Sequence, residues 1–164
     1  MGVIGITIKK QVDNLNHCVQ EFINCVDLLP ESLFLKKMDG WSPRDVTAHL
    51  IGWNLYTIKG CQQLMKGELP FYFIDPGDDF CKFNALLVRK YDSKDKKDLI
   101  AQLNASAEKL KEFLIAVDPS DWETDFGVRY KREAITIKNS VDALISDFVT
   151  HRHQIEKWAT KSKT

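Results

Sequence analysis

Apolar residues recur at three- and four-residue steps along four long stretches of this chain, and no other feature limits its fold as much. The first stretch runs from about Thr7 to Leu29, with Ile8, Val12, Leu15, Val19, Phe22, Val26 and Leu29 in step. Such spacing draws one apolar stripe along an α-helix. Pro30 stops it, because proline cannot continue the backbone ladder. The second stretch opens at Trp41-Ser-Pro-Arg-Asp45. Ser42 suits the N-cap, Pro43 the first helical position, and Asp45 sets a carboxylate near the positive end of the helix. Val46, Leu50, Trp53, Thr57 and Leu64 form its stripe, and Gly67 ends it. The third covers about Lys94 to Val117, with Leu99, Leu103, Leu110, Phe113 and Val117 inward. The fourth runs from about Thr136 to Lys161, with Val141, Leu144, Ile145, Phe148, Ile155 and Trp158 inward. Helices with one stripe each bury those stripes best against one another, so the expected fold is all-α, a four-helix bundle.

The connections fit one domain over residues 1–164, with no repeat, low-complexity tract or linker to divide it. Glu68 to Gly77 carries two prolines and a Pro-Gly pair and reads as a loop, its aromatic residues folded over something apolar. Asp78 to Tyr91 has room for a short helix. Asp118-Pro-Ser-Asp121 is turn chemistry, and Glu123 to Ala134 is irregular with a little strand character.

Charge narrows the partners. Lysine plus arginine and aspartate plus glutamate number 23 each. No field draws the chain to nucleic acid or an anionic membrane surface, and a small uncharged or weakly charged substrate is the expected partner. No apolar run approaches the roughly 20 residues that span a bilayer. At the start, Met1 to Lys9, apolar residues precede the lysines, the reverse of a secretory signal. Gly2 is followed by Ile6 rather than the Ser or Thr of a myristoylation site. Cys18, Cys25, Cys61 and Cys81 form no C-x-x-C pair, and Cys18 and Cys25 lie two helical turns apart, too far for a disulfide. They read as reduced thiols of a cytoplasmic protein.

The four histidines sort by direction. At about 100° per residue, His17 and His153 point away from their stripes and read as surface residues. His49 and His151 sit about 45–60° from the centres of theirs and face the interior or its edge. Buried imidazoles need partners for their ring nitrogens, and a backbone carbonyl or tyrosine could serve. Asp147, however, precedes His151 by four residues on the same side of one helix. These two with His49 from a second helix would make a three-ligand metal site, with a position left for water or substrate. Asp147 could equally be a helix-edge carboxylate paired with a lysine or arginine.

Two segments carry a family resemblance. Trp41-Ser-Pro-Arg-Asp-Val-Thr-Ala-His-Leu-Ile-Gly-Trp53 resembles the W-S-x-x-D-x-x-x-H-L-x-x-W opening of the second helix in the DinB-like superfamily. Asp147-Phe-Val-Thr-His-Arg-His-Gln-Ile155 is similar to its last-helix motif, H-x-x-x-H followed by x-x-Q-I, and Asn84-Ala-Leu-Leu-Val88 also fits. The resemblance implies a DinB-like bundle with up-down-down-up helix order. It implies a divalent ion (zinc, nickel or manganese) held by His49, Asp147 and His151. Many members have histidine where this chain has Asp147. The branch resembling mycothiol-dependent maleylpyruvate isomerase uses a carboxylate there, usually the longer glutamate, and a carboxylate favours harder ions. Characterised relatives include transferases that use a low-molecular-weight thiol. Here that thiol would come from a cofactor, because no cysteine falls in either motif, and Cys61 lies about 18 Å along the helix from His49.

Three readings follow. The first is a metal-dependent enzyme, a thiol S-transferase or isomerase acting on a small electrophile. The second is a metal-free binding or self-resistance protein, like the colibactin-resistance branch that shares the Trp41–Trp53 segment, with Trp53, Phe71 and Phe73 lining an apolar substrate pocket. The third is a non-catalytic interaction module, a homodimer as relatives often are.

Overall fold

The computed structural model describes residues 3–162. Residues 1, 2, 163 and 164, which the one-domain and Gly2 readings include, lie outside the described residues. Six α-helices are present among those described: α1 (Val3–Asp27), α2 (Glu31–Phe34), α3 (Pro43–Met65), α4 (Cys81–Lys90), α5 (Lys96–Ala116) and α6 (Ile137–Ser162). The fold is all-α but for a hairpin of β1 (Arg129–Tyr130) and β2 (Glu133–Ala134). No helix among the described residues is long and apolar enough to cross a membrane.

The expected stripes make the core. Every member of the α1 stripe from Ile8 to Leu29 is buried, and so are Leu99, Leu103 and Leu110 of α5. On α5 the stripe continues through Leu114, fully buried, while Phe113 is half-buried. Leu114 follows Leu110 by one turn on the same face, which Phe113 misses. α1 packs on α6 and α5, and α3 packs on the same two helices. Trp122, just after the turn at Pro119–Asp121, is the largest fully buried side chain. Its indole N–H donates to Gln11 Oε1 at 2.8 Å, which satisfies its one polar atom.

Side-chain contacts set the direction of each helix. Gln11 meets Asp142 at 2.6 Å, and ten residues on, Glu21 meets Arg152 at 2.9 Å, so α1 and α6 advance together. Gln20 meets Asn104 at 3.3 Å, while Lys96 donates to the carbonyls of Asp27 and Leu29 at 2.8 Å, so α1 and α5 run oppositely. Trp41 stacks near His151, and His49, further along the chain, reaches Asp147, one turn earlier on α6.

α3 is the helix that positions the site. Ser42 Oγ accepts from Asp45 N–H at 3.1 Å, and Asp45 Oδ2 accepts from Ser42 N–H at 3.0 Å, a reciprocal cap that fixes the first turn. Arg44 reaches sideways to donate to the carbonyls of Val88 at 3.0 Å and Tyr91 at 2.6 Å. It thereby satisfies the open end of α4 and pins that helix to α3. From Pro43 to Gly52 every α3 residue is buried. His49 is therefore interior whatever stripe it stands on.

Candidate functional site

His49, Asp147 and His151 converge. One ligand-type atom from each lies within 4.8 Å of the others. His49 is buried, while Asp147 and His151 are partly exposed at the floor of a cavity. His49 Nε2 is 2.7 Å from Asp147 Oδ2, and His151 Nε2 is 3.1 Å from Asp147 Oδ1. Burial acts most strongly on the Asp147 carboxyl and opposes its ionisation. The hydrogen bonds and charge of His151 and His49 together outweigh that and hold it well below the usual carboxylate range.

Local chemistry fixes the proton on His49. Trp53 Nε1–H donates to Asn84 Oδ1 at 2.7 Å. An indole N–H can only donate, so the amide oxygen of Asn84 must face it. The amide nitrogen is committed elsewhere, to the Asp79 carbonyl at 3.0 Å. That same Oδ1 lies 3.0 Å from His49 Nδ1, so Nδ1 carries the hydrogen. A neutral imidazole would then present a bare Nε2 to the carboxylate 2.7 Å away. Two acceptors do not approach to hydrogen-bonding distance unless a hydrogen lies between them; a metal ion with bonds of about 2 Å to each would hold them further apart, at roughly 3 Å. His151 has the same two kinds of neighbour, a side-chain amide (Gln154) 3.1 Å from Nδ1 and Asp147 at Nε2.

The cavity above the triad has a volume of about 790 Å³, within the range of small-molecule sites. Trp41, Trp53, Tyr72, Phe73 and Phe80 form an aromatic wall opposite the small and polar side chains of α6. Trp53 meets Tyr72 and Phe80 edge-to-face, with ring centroids 5.0 and 5.5 Å apart. Phe80 itself stands at φ 57° and its neighbour Asp79 at φ 50°. A bulky residue rarely accepts a left-handed backbone, so local strain is tolerated to bring this ring over the cavity.

Three solved structures share this architecture. An uncharacterised protein from Escherichia coli UTI89 superposes with a TM-score of 0.70 at 19% identity, over 95% of this chain and 94% of that one. A protein from Streptococcus pneumoniae gives 0.68 at 16%, over 93% and 90%. An uncharacterised protein from Clostridium difficile 630 gives 0.68 at 17%, over 93% and 95%. At such identities the likeness concerns the fold alone. No protein-family model matches the chain, and no curated protein sequence matches it.

Of the residues expected to line a pocket, Trp53 and Phe73 do and Phe71 does not. Phe71, Tyr72 and Phe73 share a single 3₁₀ turn, whose side chains leave about 120° apart. Phe71 is turned outward against Tyr56 and Phe83, with Lys59 Nζ 4.4 Å above its ring. Tyr72 takes the inward place. Its hydroxyl lies so close to α3 that a Cβ at Gly60 would fall 2.5 Å from it. His17 and His153 are exposed, as expected. The four cysteines are unpaired, and none lines the cavity. Burial pushes the Cys61 thiol up to about 12, which makes it inert. Sequence reasoning misses Asn84 as a site residue. Its only signal is its place in the Asn84–Val88 segment of the resemblance.

Proposed function

We propose that this chain is a metal-dependent enzyme of DinB-like type, in which His49, Asp147 and His151 hold one divalent ion beneath a cavity for a small electrophilic substrate. The observation that carries this reading is the convergence of two imidazole Nε2 atoms and one carboxylate at the cavity floor, with one ligand-type atom of each within 4.8 Å of the others. The donors fit such an ion. Two nitrogens and one oxygen from protein suit zinc, nickel or manganese and leave a position open toward the cavity. Amide oxygens on both Nδ1 atoms are the outer partners that ligating histidines usually have. Helix directions also support the up-down-down-up order: α1 and α6 run together, while α5 opposes α1 and α3 opposes α6.

A divalent ion at this place would supply Lewis acidity and a lowered pKa for a bound water or thiol. The chain's own residues do the rest. Asn84 and Trp53 hold His49 in one tautomer, and the aromatic wall keeps bulk water from the reacting groups. No cysteine lines the cavity, so a thiol-dependent S-transfer or isomerisation would draw its thiol from a cofactor. The same resemblance carries a homodimer with it, and sedimentation of the purified protein tests the dimer; the unpaired cysteines suit a cytoplasmic location.

Elemental analysis of protein purified without a polyhistidine tag, followed by zinc, nickel and manganese titration, tests the ion. About one equivalent per chain is expected, lost in H49A, D147A and H151A. Less than about a tenth of an equivalent, with no binding on titration, overturns the reading.

One observation favours a metal-free alternative. Asp147 is already satisfied by both imidazoles, as a proton-bridged triad would be. In that case the cavity is a binding or self-resistance site, and H49A keeps its affinity for an aromatic probe, read by tryptophan fluorescence. Complete loss of binding rejects this alternative.

A further inference from the structure

We infer that the cavity selects a ligand that carries a positive charge beside an apolar or aromatic body, an amine rather than an anion. The inference rests on the reading of this cavity as the substrate site, and it names the chemical class that the site takes.

Among the carboxylates, lysines and arginines, charge around the cavity is one-sided. Lysine and arginine equal aspartate and glutamate over the whole chain, at 23 each. The lining nevertheless contains Asp79, Glu133 and Asp147 and no lysine or arginine. Asp147 is committed to its two imidazoles at the floor. Asp79 and Glu133 are exposed, and among the described residues neither has an ion-pair partner. Nearby acids do have one: Asp75 pairs with Lys82, Asp125 with Arg129 and Glu123 with Lys138. The two free carboxylates come from separate elements, the turn before α4 and strand β2. Both line the same cavity, so their potentials add there.

The wall between rim and floor suits the same ligand. Trp53, Tyr72, Phe73 and Phe80 bring aromatic rings to the cavity. Ring faces attract cations, tryptophan most strongly, and they cover an apolar body equally well. An anion would meet the negative edge of this field with no guanidinium or ammonium at the rim to receive it, and the two imidazoles at the floor are taken up by Asp147. Thiols that carry several carboxylates, such as glutathione, are therefore poor occupants of the rim. A ligand with an ammonium at the rim and its reacting group at the floor fits both ends.

Three probes with one body separate charge from shape: 3-phenylpropylamine, 3-phenylpropan-1-ol and 3-phenylpropanoate. Each is titrated into chelator-treated full-length protein at neutral pH and low salt, with tryptophan fluorescence and calorimetry as readouts. The amine should bind about tenfold more tightly than the alcohol, with the carboxylate weakest, and added salt should shrink the gap. In D79N/E133Q the ratio of amine to alcohol affinity should fall toward one, and thermal melting checks that the variant folds. The inference is overturned if the carboxylate binds as tightly as the amine, or if the double variant keeps the wild-type ratio. It is also overturned if none of the three saturates below roughly 10 mM. Zinc titration of the same preparation decides the ion separately. Amine preference in protein that binds no zinc leaves this inference standing and removes the metal reading; zinc binding without amine preference does the reverse.

Discussion

Replacing Gly52 with alanine tests the packing that places Asn84 in the site. A Cβ at position 52 would fall 2.6 Å from Leu87 Cδ1 and 2.7 Å from Leu87 Cγ. Leu87 is 1% exposed, so it has no free space to enter. The branch atom Cγ is involved as well as the tip, and a rotamer change alone does not clear it. Either α4 moves away from α3 or both side chains strain. Overpacking of this kind costs about 1–3 kcal/mol, and the upper part of that range applies here. Alanine in place of glycine inside a helix returns about 1 kcal/mol. The net loss is about 2 kcal/mol, or about 1 M in urea midpoint for a slope near 2 kcal/mol/M. L87A alone should cost about 3 kcal/mol through its cavity. The double variant G52A/L87A should then be more stable than the sum of the two by about 3 kcal/mol, because the clash is gone and the new methyl fills vacated space. Urea unfolding of the four proteins reads the whole cycle. G52A at or above the wild-type midpoint would falsify the close approach of α4 to α3, and with it the placement of Asn84.

Four further outcomes are expected. N84A leaves the indole N–H of Trp53 and the Nδ1–H of His49 without their acceptor; it should lose about 1–3 kcal/mol in urea unfolding and bind zinc about 10–100-fold more weakly. S42A removes one half of the cap on α3 and should cost about 0.5–2 kcal/mol, and an unchanged midpoint would show that the cap carries no stability. Cys61 contributes a pH dependence of known sign. Its thiol is pushed up to about 12 in the folded chain but ionises near 8.5 when unfolded. Its contribution is intact below that value and declines by about 1.4 kcal/mol per pH unit above it, up to about 12. The wild-type stability should therefore fall more steeply with alkaline pH than that of C61A, and parallel curves would sink the claim. Zinc binding should release protons, counted by calorimetry in buffers of different ionisation enthalpy, since an imidazole binds the ion only through a nitrogen that carries no hydrogen.

What could be read from the sequence was whatever depends on neighbours within one turn. Ser42, Pro43 and Asp45 announce the start of α3 because a capping box is built from residues three apart. Asp147 and His151 announce a shared face because four residues make about one turn. Side chains that meet across elements were harder to foresee. His49 was placed inward from its stripe, yet α3 is buried on all sides near it, a property of what surrounds the helix. Nothing local tells Tyr72 from Phe71. The choice involves Gly60 on α3, where a Cβ would collide with the Tyr72 hydroxyl and the glycine leaves it room. Asn84 reaches His49 only because Arg44 and the Gly52–Leu87 contact seat α4, and those partners lie 35 or more residues apart. The short helix Glu31–Phe34 escaped because four residues cannot display a period.

The two readings of the triad differ less in electrostatics than in chemistry. Without an ion, hydrogen bonds join the two imidazoles to Asp147. With one, a divalent cation would take the place of those hydrogens. The ionised carboxylate, kept in that state by its partners, serves both. Selection of a cationic body at the rim depends on Asp79 and Glu133, outside this exchange, and should persist in either state. What the ion adds is an open coordination position and the power to polarise a bound group, neither of which a proton offers. On the proposed reading, ligand recognition and catalysis are thus separable in this fold. The aromatic wall and rim would decide what enters, and the occupant of the triad would decide whether anything is done to it.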